Sequence, residues 1–262
     1  MKDVSPILII LLSGGKAKRF KQLGLLLPKP LLPASNQQTL LSRNLDFVRQ
    51  LSGTKVVSTS PAFFDYLSCF MRQYNLLNLE KNHKPASIVL AKNEQHEIGP
   101  VEAFLKIICE QFSQQRFEKF LLFLSDIFFQ ENPFAGILFC SAIWHDDLNY
   151  LWVKEPLDEK EILSSTGIAE VKEGKVIRLY LSNKDCLSTP NSCKNLWSGI
   201  ALFRAACRPK IQIFVNKFQG ASEEDLINML INEGEIFKPI FCPHFINVNC
   251  YQQLLDVLAW QE

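Results

Sequence analysis

What this 262-residue chain has little of narrows its class first. Net charge is nearly nil, with 28 Lys and Arg against 27 Asp and Glu. No basic stripe interleaved with aromatic residues occurs, so a nucleic-acid-binding surface is not expected. No apolar run approaches the roughly 20 residues that cross a bilayer. The apolar stretch Val4 to Leu12 has no small-x-small cleavage site behind it and runs straight into Gly14-Gly15-Lys16. It therefore reads as a buried strand and not as a leader, and a cytoplasmic protein with no membrane partner is expected. The 8 cysteines include no C-x-x-C pair and no zinc-like spacing with histidine. Several sit among apolar neighbours (Ile108-Cys109, Phe139-Cys140, Phe241-Cys242), where a thiol behaves as a small hydrophobe, so reduced structural cysteines are expected. Internal repeats and low-complexity segments are absent too.

What remains is a globular composition: 47% hydrophobic, 21% charged, mean hydropathy +0.03. The charge is unevenly spread. Residues 1–60 carry nine Lys or Arg and two Asp, a local +7, leaving −6 for the rest. An anion docking near the N-terminus would suit that asymmetry; a solvated basic face is the plainer alternative.

Ile7 to Leu12 is continuously apolar and β-branched, as a central parallel strand is, and ends at Ser13-Gly14-Gly15. Strands are expected at Thr54 to Thr59, Ala86 to Ala91 and Phe120 to Leu124, and helices at Thr39 to Leu51, Phe63 to Leu77 and Pro100 to Phe117. This alternation through residue 145 predicts an α/β fold with a Rossmann-like mixed, mostly parallel sheet flanked by helices. After residue 150, shorter strands with polar connections (Ile168 to Val171, Lys175 to Leu181, Leu196 to Phe203) predict a β-rich part. Ser222 to Asn232 reads as a helix capped by Ser222, with Asp225 three residues on. A last strand is expected at Phe245 to Val248 and a terminal helix from about Gln252. The chain is expected to form one domain of two halves, 1–145 and 146–262. Ligands of such sheets collect beyond the carboxyl ends of the strands, where Ser13-Gly14-Gly15 and Ser125-Asp126 both fall.

The segment Leu12-Ser13-Gly14-Gly15-Lys16-Ala17-Lys18-Arg19 offers backbone N–H groups and positive charge to an anion. Its spacing fits neither the Walker A loop nor G-x-G-x-x-G, and a simple tight turn is the alternative. Ten residues after Arg19 comes Pro28-Lys29-Pro30-Leu31-Leu32-Pro33. Together these resemble the signature of the sugar-1-phosphate nucleotidylyltransferases, L-[AS]-G-G-x-G-[ST]-R followed by P-K-x-L-L-P. The resemblance continues at Ile98-Gly99-Pro100, at Leu124-Ser125-Asp126-Ile127-Phe128-Phe129, at Thr166-Gly167-Ile168-Ala169-Glu170-Val171, at Trp197-Ser198-Gly199-Ile200 and at Phe245-Ile246-Asn247-Val248-Asn249.

That resemblance implies Mg²⁺-dependent transfer of a nucleotidyl group from a nucleoside triphosphate to a sugar 1-phosphate. It implies catalytic roles for Arg19, Lys29 and Asp126. Arg19 would hold the β/γ-phosphates, Lys29 would neutralise charge at the α-phosphorus, and Asp126 would hold Mg²⁺ with Asn247 at the second metal position. Leu12, Ser13, Gly14, Gly15, Lys18, Glu94, Gly99 and Ser125 would line the nucleotide, and Gly167, Glu170, Lys184 and Gly199 the sugar phosphate. No protein base is needed, because the second phosphate ionisation, near pH 6, leaves the nucleophile already charged.

Departures from the pattern matter as well. Ala17 and Lys18 stand where the family has glycine and a small hydroxyl residue. The family's E-K-P is unmatched, with Lys184 the nearest substitute. Asn247 or Asn249 replaces an aspartate; the same stretch resembles the N-x-N ending of the molybdenum-cofactor guanylyltransferases. Glu94 stands where uridylyl- and thymidylyltransferases carry Gln. A carboxylate accepts but does not donate, and guanine offers N1–H and N2–H₂ side by side, which favours GTP over UTP or dTTP as donor; an exposed loop carboxylate is the plainer alternative. His96 is expected in solvent. Two other readings stay open: transfer to a non-sugar acceptor of phosphocholine or molybdopterin type, and a non-catalytic nucleotide-sugar-binding relative. Whether the chain pairs with copies of itself is not legible.

Overall fold

The structure is a computed structural model describing residues 7–13, 28–80, 88–92, 99–138, 141–158, 161, 167–180, 193–218 and 220–260. It opens with β1 (Ile7–Leu12), α1 (Leu40–Arg49), β2 (Thr54–Thr59), α2 (Phe64–Glu80) and β3 (Ile88–Lys92). α3 (Pro100–Lys106) runs on into a π-helical turn, followed by β4 (Lys119–Leu124), β5 (Ile127–Phe129), α4 (Ser141–His145) and β6 (Asn149–Lys154). Next come β7 (Ile168–Lys172), β8 (Lys175–Tyr180), β9 (Cys193–Arg204), α5 (Arg208–Lys217) and α6 (Glu223–Asn232). β10 (Phe237–Phe241), β11 (Phe245–Asn247) and α7 (Tyr251–Ala259) complete the described chain.

Nine strands form one sheet in the order β3-β2-β1-β4-β9-β6-β10-β8-β7, with β7 also pairing β9. β1, β2, β3 and β4 are mutually parallel, as are β6 and β10, while β9 and β8 run against their neighbours. The expected α/β class and mixed, mostly parallel sheet are therefore observed.

β1 is buried along its whole length because helices cover both faces of the sheet. Ile7, Ile9 and Leu11 pack with Leu41, Leu45 and Val48 of α1 and Leu67 and Met71 of α2. Leu8, Ile10 and Leu12 point the other way, towards Phe104 of α3, Ile211 of α5 and Leu230 of α6. This two-sided burial is why the strand reads as an unbroken apolar run.

A third, smaller cluster joins Leu32, Ala34, Leu40 and Phe128 to Val248, Leu254 and Val257. It clamps the proline-rich segment onto α7. β5, α4, β6, β10 and α5 have no counterpart among the elements expected from the sequence. β6 begins and ends on the polar residues Asn149 and Lys154, both buried, and β10 carries a proline, Pro239. Among the described residues, Cys69, Cys109, Cys207, Cys242 and Cys250 are free thiols. No described helix is long and apolar enough to cross a membrane.

Candidate active site

The site forms where β1 and β4 end side by side. Ser13 and Ser125 are both fully buried. Ser125 Oγ donates to the Leu12 carbonyl at 2.6 Å and lies 2.9 Å from Ser13 Oγ. The Ser125 N–H also reaches Leu12 O, at 3.3 Å, and the Ser13 N–H reaches Ser58 O, at 2.8 Å. The sheet ladder is thus extended by one residue past each strand, and Asp126 is the first residue projecting beyond it.

The turn carrying Asp126 is fixed from both sides. Asn44, fully buried in α1, donates through Nδ2 to Ser125 O (3.2 Å) and Ile127 O (3.0 Å). Arg43, one residue earlier, donates to the carbonyls of Phe129 and Gln130 at 2.8 and 2.6 Å. From the other side, β11 pairs antiparallel with β5, Asn247 opposite Ile127, and the Val248 N–H donates to Asp126 O at 3.1 Å.

That pairing delivers the next residue, Asn249, to the centre. Lys29 Nζ donates to Asp126 Oδ2 at 3.0 Å and to Asn249 Oδ1 at 2.8 Å. Lys29 opens a 3₁₀ turn tied by Leu31 N–H to Pro28 O and Leu32 N–H to Lys29 O. The buried Leu32 behind it anchors the turn in the small cluster. Pro28-Lys29-Pro30-Leu31-Leu32-Pro33 is therefore a rigid bracket presenting one ammonium group.

Of the residues singled out in the sequence, Leu12, Ser13, Lys29, Ser125 and Asp126 converge here. Asn247 lies on β11, and the carboxamide bonded at the centre is that of Asn249. Gly99 is the N-cap of α3; a Cβ built on it would lie 3.6 Å from Ala221 O, at the foot of α6. Gly167 has φ +97° and its carbonyl accepts from the Trp197 N–H at 3.1 Å; a Cβ there would press on the Trp197 ring at 3.3 Å. Gly199 has φ +75° and packs on Leu124 at the end of β4, where a Cβ would come within 3.0 Å. Glu170, on β7, accepts from the Tyr180 hydroxyl at 2.5 Å. Gly14, Gly15, Lys18, Arg19, Glu94 and Lys184 lie outside the described residues.

Two features were not anticipated. The first turn of α6 sets Glu224 beside Gly167, 3.7 Å from a Cβ built there, and brings Glu223 within electrostatic reach of Asp126. Burial, then the neighbouring Glu224 and Asp126 charges, push the Glu223 carboxyl up to about 8. The sequence signal is the acidic pair directly after the capping Ser222, a pattern that marks a helix start whatever that end faces. The second is a cavity of about 430 Å³ beside the centre, whose walls include Asn249, Asn247, Trp197, Trp260, Lys154 and Glu161. Lys154 is buried, pairs with Glu161 and lies 5.2 Å over the Phe245 ring. Its position at the end of an unassigned strand hid it.

Among the described residues no three His, Cys, Asp or Glu side chains converge to share an ion. The centre offers one carboxylate, from Asp126, and neighbouring carboxamides. That is too little for an all-protein cage, but it suits Mg²⁺, which commonly binds through one or two carboxylates with phosphates and water completing the shell.

No known family profile matches the chain, and no curated protein sequence matches it. Solved structures do. The chain has the fold of the sugar-1-phosphate nucleotidylyltransferases and related nucleotidyltransferases. A protein of Bacillus anthracis described as a glucose-1-phosphate thymidylyltransferase is similar at 15% identity, with 97% of this chain and 94% of that one covered and a TM-score of 0.74. The inositol-1-phosphate CTP transferase of T. maritima is 14% identical, covering 95% of each chain, with a TM-score of 0.70. A CTP:phosphocholine cytidylyltransferase of Streptococcus pneumoniae is 12% identical, covering 98% of this chain and all of that one, at 0.66.

Proposed function

We propose that the chain is a Mg²⁺-dependent nucleotidyltransferase that couples a nucleoside triphosphate to a phosphate-bearing acceptor, a sugar 1-phosphate by first preference. The observation that carries this reading is the meeting of Lys29, Asp126 and Asn249 just beyond the paired ends of β1 and β4. The fold and the basic N-terminal segment support it.

In the proposed reaction an acceptor phosphate oxygen attacks the α-phosphorus of the triphosphate. A new P–O bond forms in line with the α–β bridging bond, which breaks and leaves its electron pair on pyrophosphate. The chain supplies position and charge and no proton-transfer group. Lys29 neutralises the α-phosphoryl oxygens, Gly14, Gly15, Lys18 and Arg19 receive the remaining phosphates, and the Ser13–Ser125 pair holds the two strand ends in register. Asp126, with Asn249 or Asn247 beside it, would hold Mg²⁺, which when bound withdraws charge from the phosphate oxygens. The acceptor enters the cavity adjoining Asn249, with Lys154 as its buried cation. Glu94 favours guanine, so GTP is the proposed donor.

The similar structures include an inositol-1-phosphate CTP transferase and a CTP:phosphocholine cytidylyltransferase, which keeps a non-sugar phosphate acceptor as the second reading. Pyrophosphate release decides between them, assayed with each of GTP, ATP, CTP, UTP and dTTP against glucose 1-phosphate, inositol 1-phosphate and phosphocholine. GTP-dependent release with the sugar phosphate supports the first reading, while UTP or dTTP as sole donor overturns the role of Glu94. Asp126→Asn should abolish release while circular dichroism and melting stay unchanged; wild-type rates in that variant would remove Asp126 from the mechanism.

A further inference from the structure

The centre already holds a cation, and it is the protein's own. Lys29 Nζ lies within hydrogen-bond distance of one carboxylate oxygen and one carboxamide oxygen, Asp126 Oδ2 at 3.0 Å and Asn249 Oδ1 at 2.8 Å. We propose that in the nucleotide-free protein the Lys29 ammonium fills the position between Asp126 and Asn249, so that a divalent ion enters only together with a polyphosphate, onto which Lys29 transfers.

Charge is the first reason. Asp126 contributes one negative charge, Lys29 cancels it, and Asn249 adds a dipole but no charge. A divalent ion arriving alone would meet a neutral pair and the repulsion of the ammonium, and Mg²⁺ sheds water reluctantly for so few protein oxygens.

Rigidity is the second. The Asp126 turn is held by Asn44 and by the Val248 N–H. The Asn249 backbone is held by its own N–H donating to Gln253 Oε1 at 2.7 Å. The Lys29 backbone is held by its 3₁₀ turn. The one compliant part is the four-carbon stem of Lys29, a flexible point charge that can swing without moving the bracket.

The third reason is the exchange itself. A triphosphate offers Lys29 a stronger anionic partner, and its departure leaves Asp126 to the metal. Metal and polyphosphate then raise each other's affinity by the same factor, as linkage requires. Asparagine at 249, where a second carboxylate would attract the ion outright, keeps the free site neutral. The delivery half of this inference rests on the nucleotidyltransferase reading; the occupancy of the cation position does not.

The test uses Mn²⁺ on the full chain, following the free-ion paramagnetic resonance signal and the water-proton relaxation that bound Mn²⁺ enhances. Wild type with Mn²⁺ alone should show no saturable binding up to about 1 mM, where a site of this kind would already bind. Asn249→Asp supplies a second carboxylate and makes binding measurable. Adding Lys29→Met to Asn249→Asp should tighten Mn²⁺ at least about tenfold, since the competing ammonium is gone. With inorganic tripolyphosphate present, the wild type should enhance relaxation beyond that of Mn²⁺–tripolyphosphate alone.

Tight Mn²⁺ binding by the wild type without polyphosphate overturns the proposal. So does an Asn249→Asp affinity that Lys29→Met leaves unchanged, or no enhancement with tripolyphosphate. If every nucleotide–acceptor pair proves silent in the pyrophosphate assay while these Mn²⁺ results hold, the proposed reaction falls and the ammonium-filled site stands. Asn249→Gln, which keeps the charge, monitors folding by its melting temperature.

Discussion

Replacing Glu223 by glutamine should stabilise the protein at high pH and do little at low pH. Its carboxyl is pushed up to about 8 from an ordinary 4.5. Between those values the unfolded chain ionises while the folded chain holds its proton, so the wild type loses stability as pH rises from about 4.5 towards 8. At about 1.4 kcal/mol per pH unit, the full shift would cost roughly 4 kcal/mol at pH 8 and roughly 1 kcal/mol at pH 5.5. The effective dielectric at buried protein sites is nearer 20 than that of a dry interior, so about half of that roughly 3 kcal/mol difference is expected, some 1.5 kcal/mol. Glutamine cannot ionise and keeps nearly the same shape. The assay is urea unfolding of Glu223→Gln and wild type at pH 5.5 and pH 8.0, followed by tryptophan fluorescence. The variant's advantage should appear at pH 8.0 and shrink towards zero at pH 5.5. An advantage equal at both pH values, or a variant less stable at pH 8.0, would refute the assignment of a raised carboxyl facing Asp126.

Asn44→Ala removes both side-chain bonds to the turn carrying Asp126 and strips partners from buried carbonyls, so unfolding free energy should fall by about 2–3 kcal/mol; turnover should drop further than nucleotide affinity, measured by pyrophosphate release and calorimetry. Gly199→Ala forces a left-handed backbone on alanine and a 3.0 Å contact with Leu124, for an expected loss of about 1–3 kcal/mol in urea titration. Lys154→Met replaces a buried ion-pair partner with an apolar chain of similar length. Glu161 is left without its cation, so stability should fall by about 3 kcal/mol, while the acceptor KM rises about tenfold and the nucleotide KM holds. An unchanged acceptor KM would move the acceptor out of the cavity.

How far the sequence is legible depends on what a residue's neighbours are. β1 and β4 could be read because residues such as Leu8 and Leu121 are buried by helices on both faces of the sheet, and such burial leaves an unbroken apolar run. Ser222 with Asp225 read as a helix start, and both reciprocal capping bonds are present. β6 could not be read, because its ends are Asn149 and Lys154, polar groups whose partners, Glu235 and Glu161, lie 86 and 7 residues along the chain. Lys119 hid the start of β4 in the same way; it is buried, with Asp146 and the Leu148 carbonyl as partners. At the candidate site, Lys29 and Asp126 were legible from local motifs. The choice between Asn247 and Asn249 depends on the register of β11 against β5, which no local pattern contains. Glu223 needed knowledge of which helix end comes within electrostatic reach of Asp126.

β9 has a consequence for anyone who would engineer this chain. It comes from the later half of the sequence, yet it lies between β4 and β6 and also reaches β7. β11 likewise returns to pair with β5. Chain order and spatial order are woven together, so the two halves are not modules. A chimera joined at residue 146, keeping this front half and borrowing another protein's back half, would replace the strand that covers β4's edge and the asparagine that meets Lys29. For the acceptor proposed above, a change of specificity is better sought one wall of the cavity at a time, within its side chains, than by exchanging the whole later half.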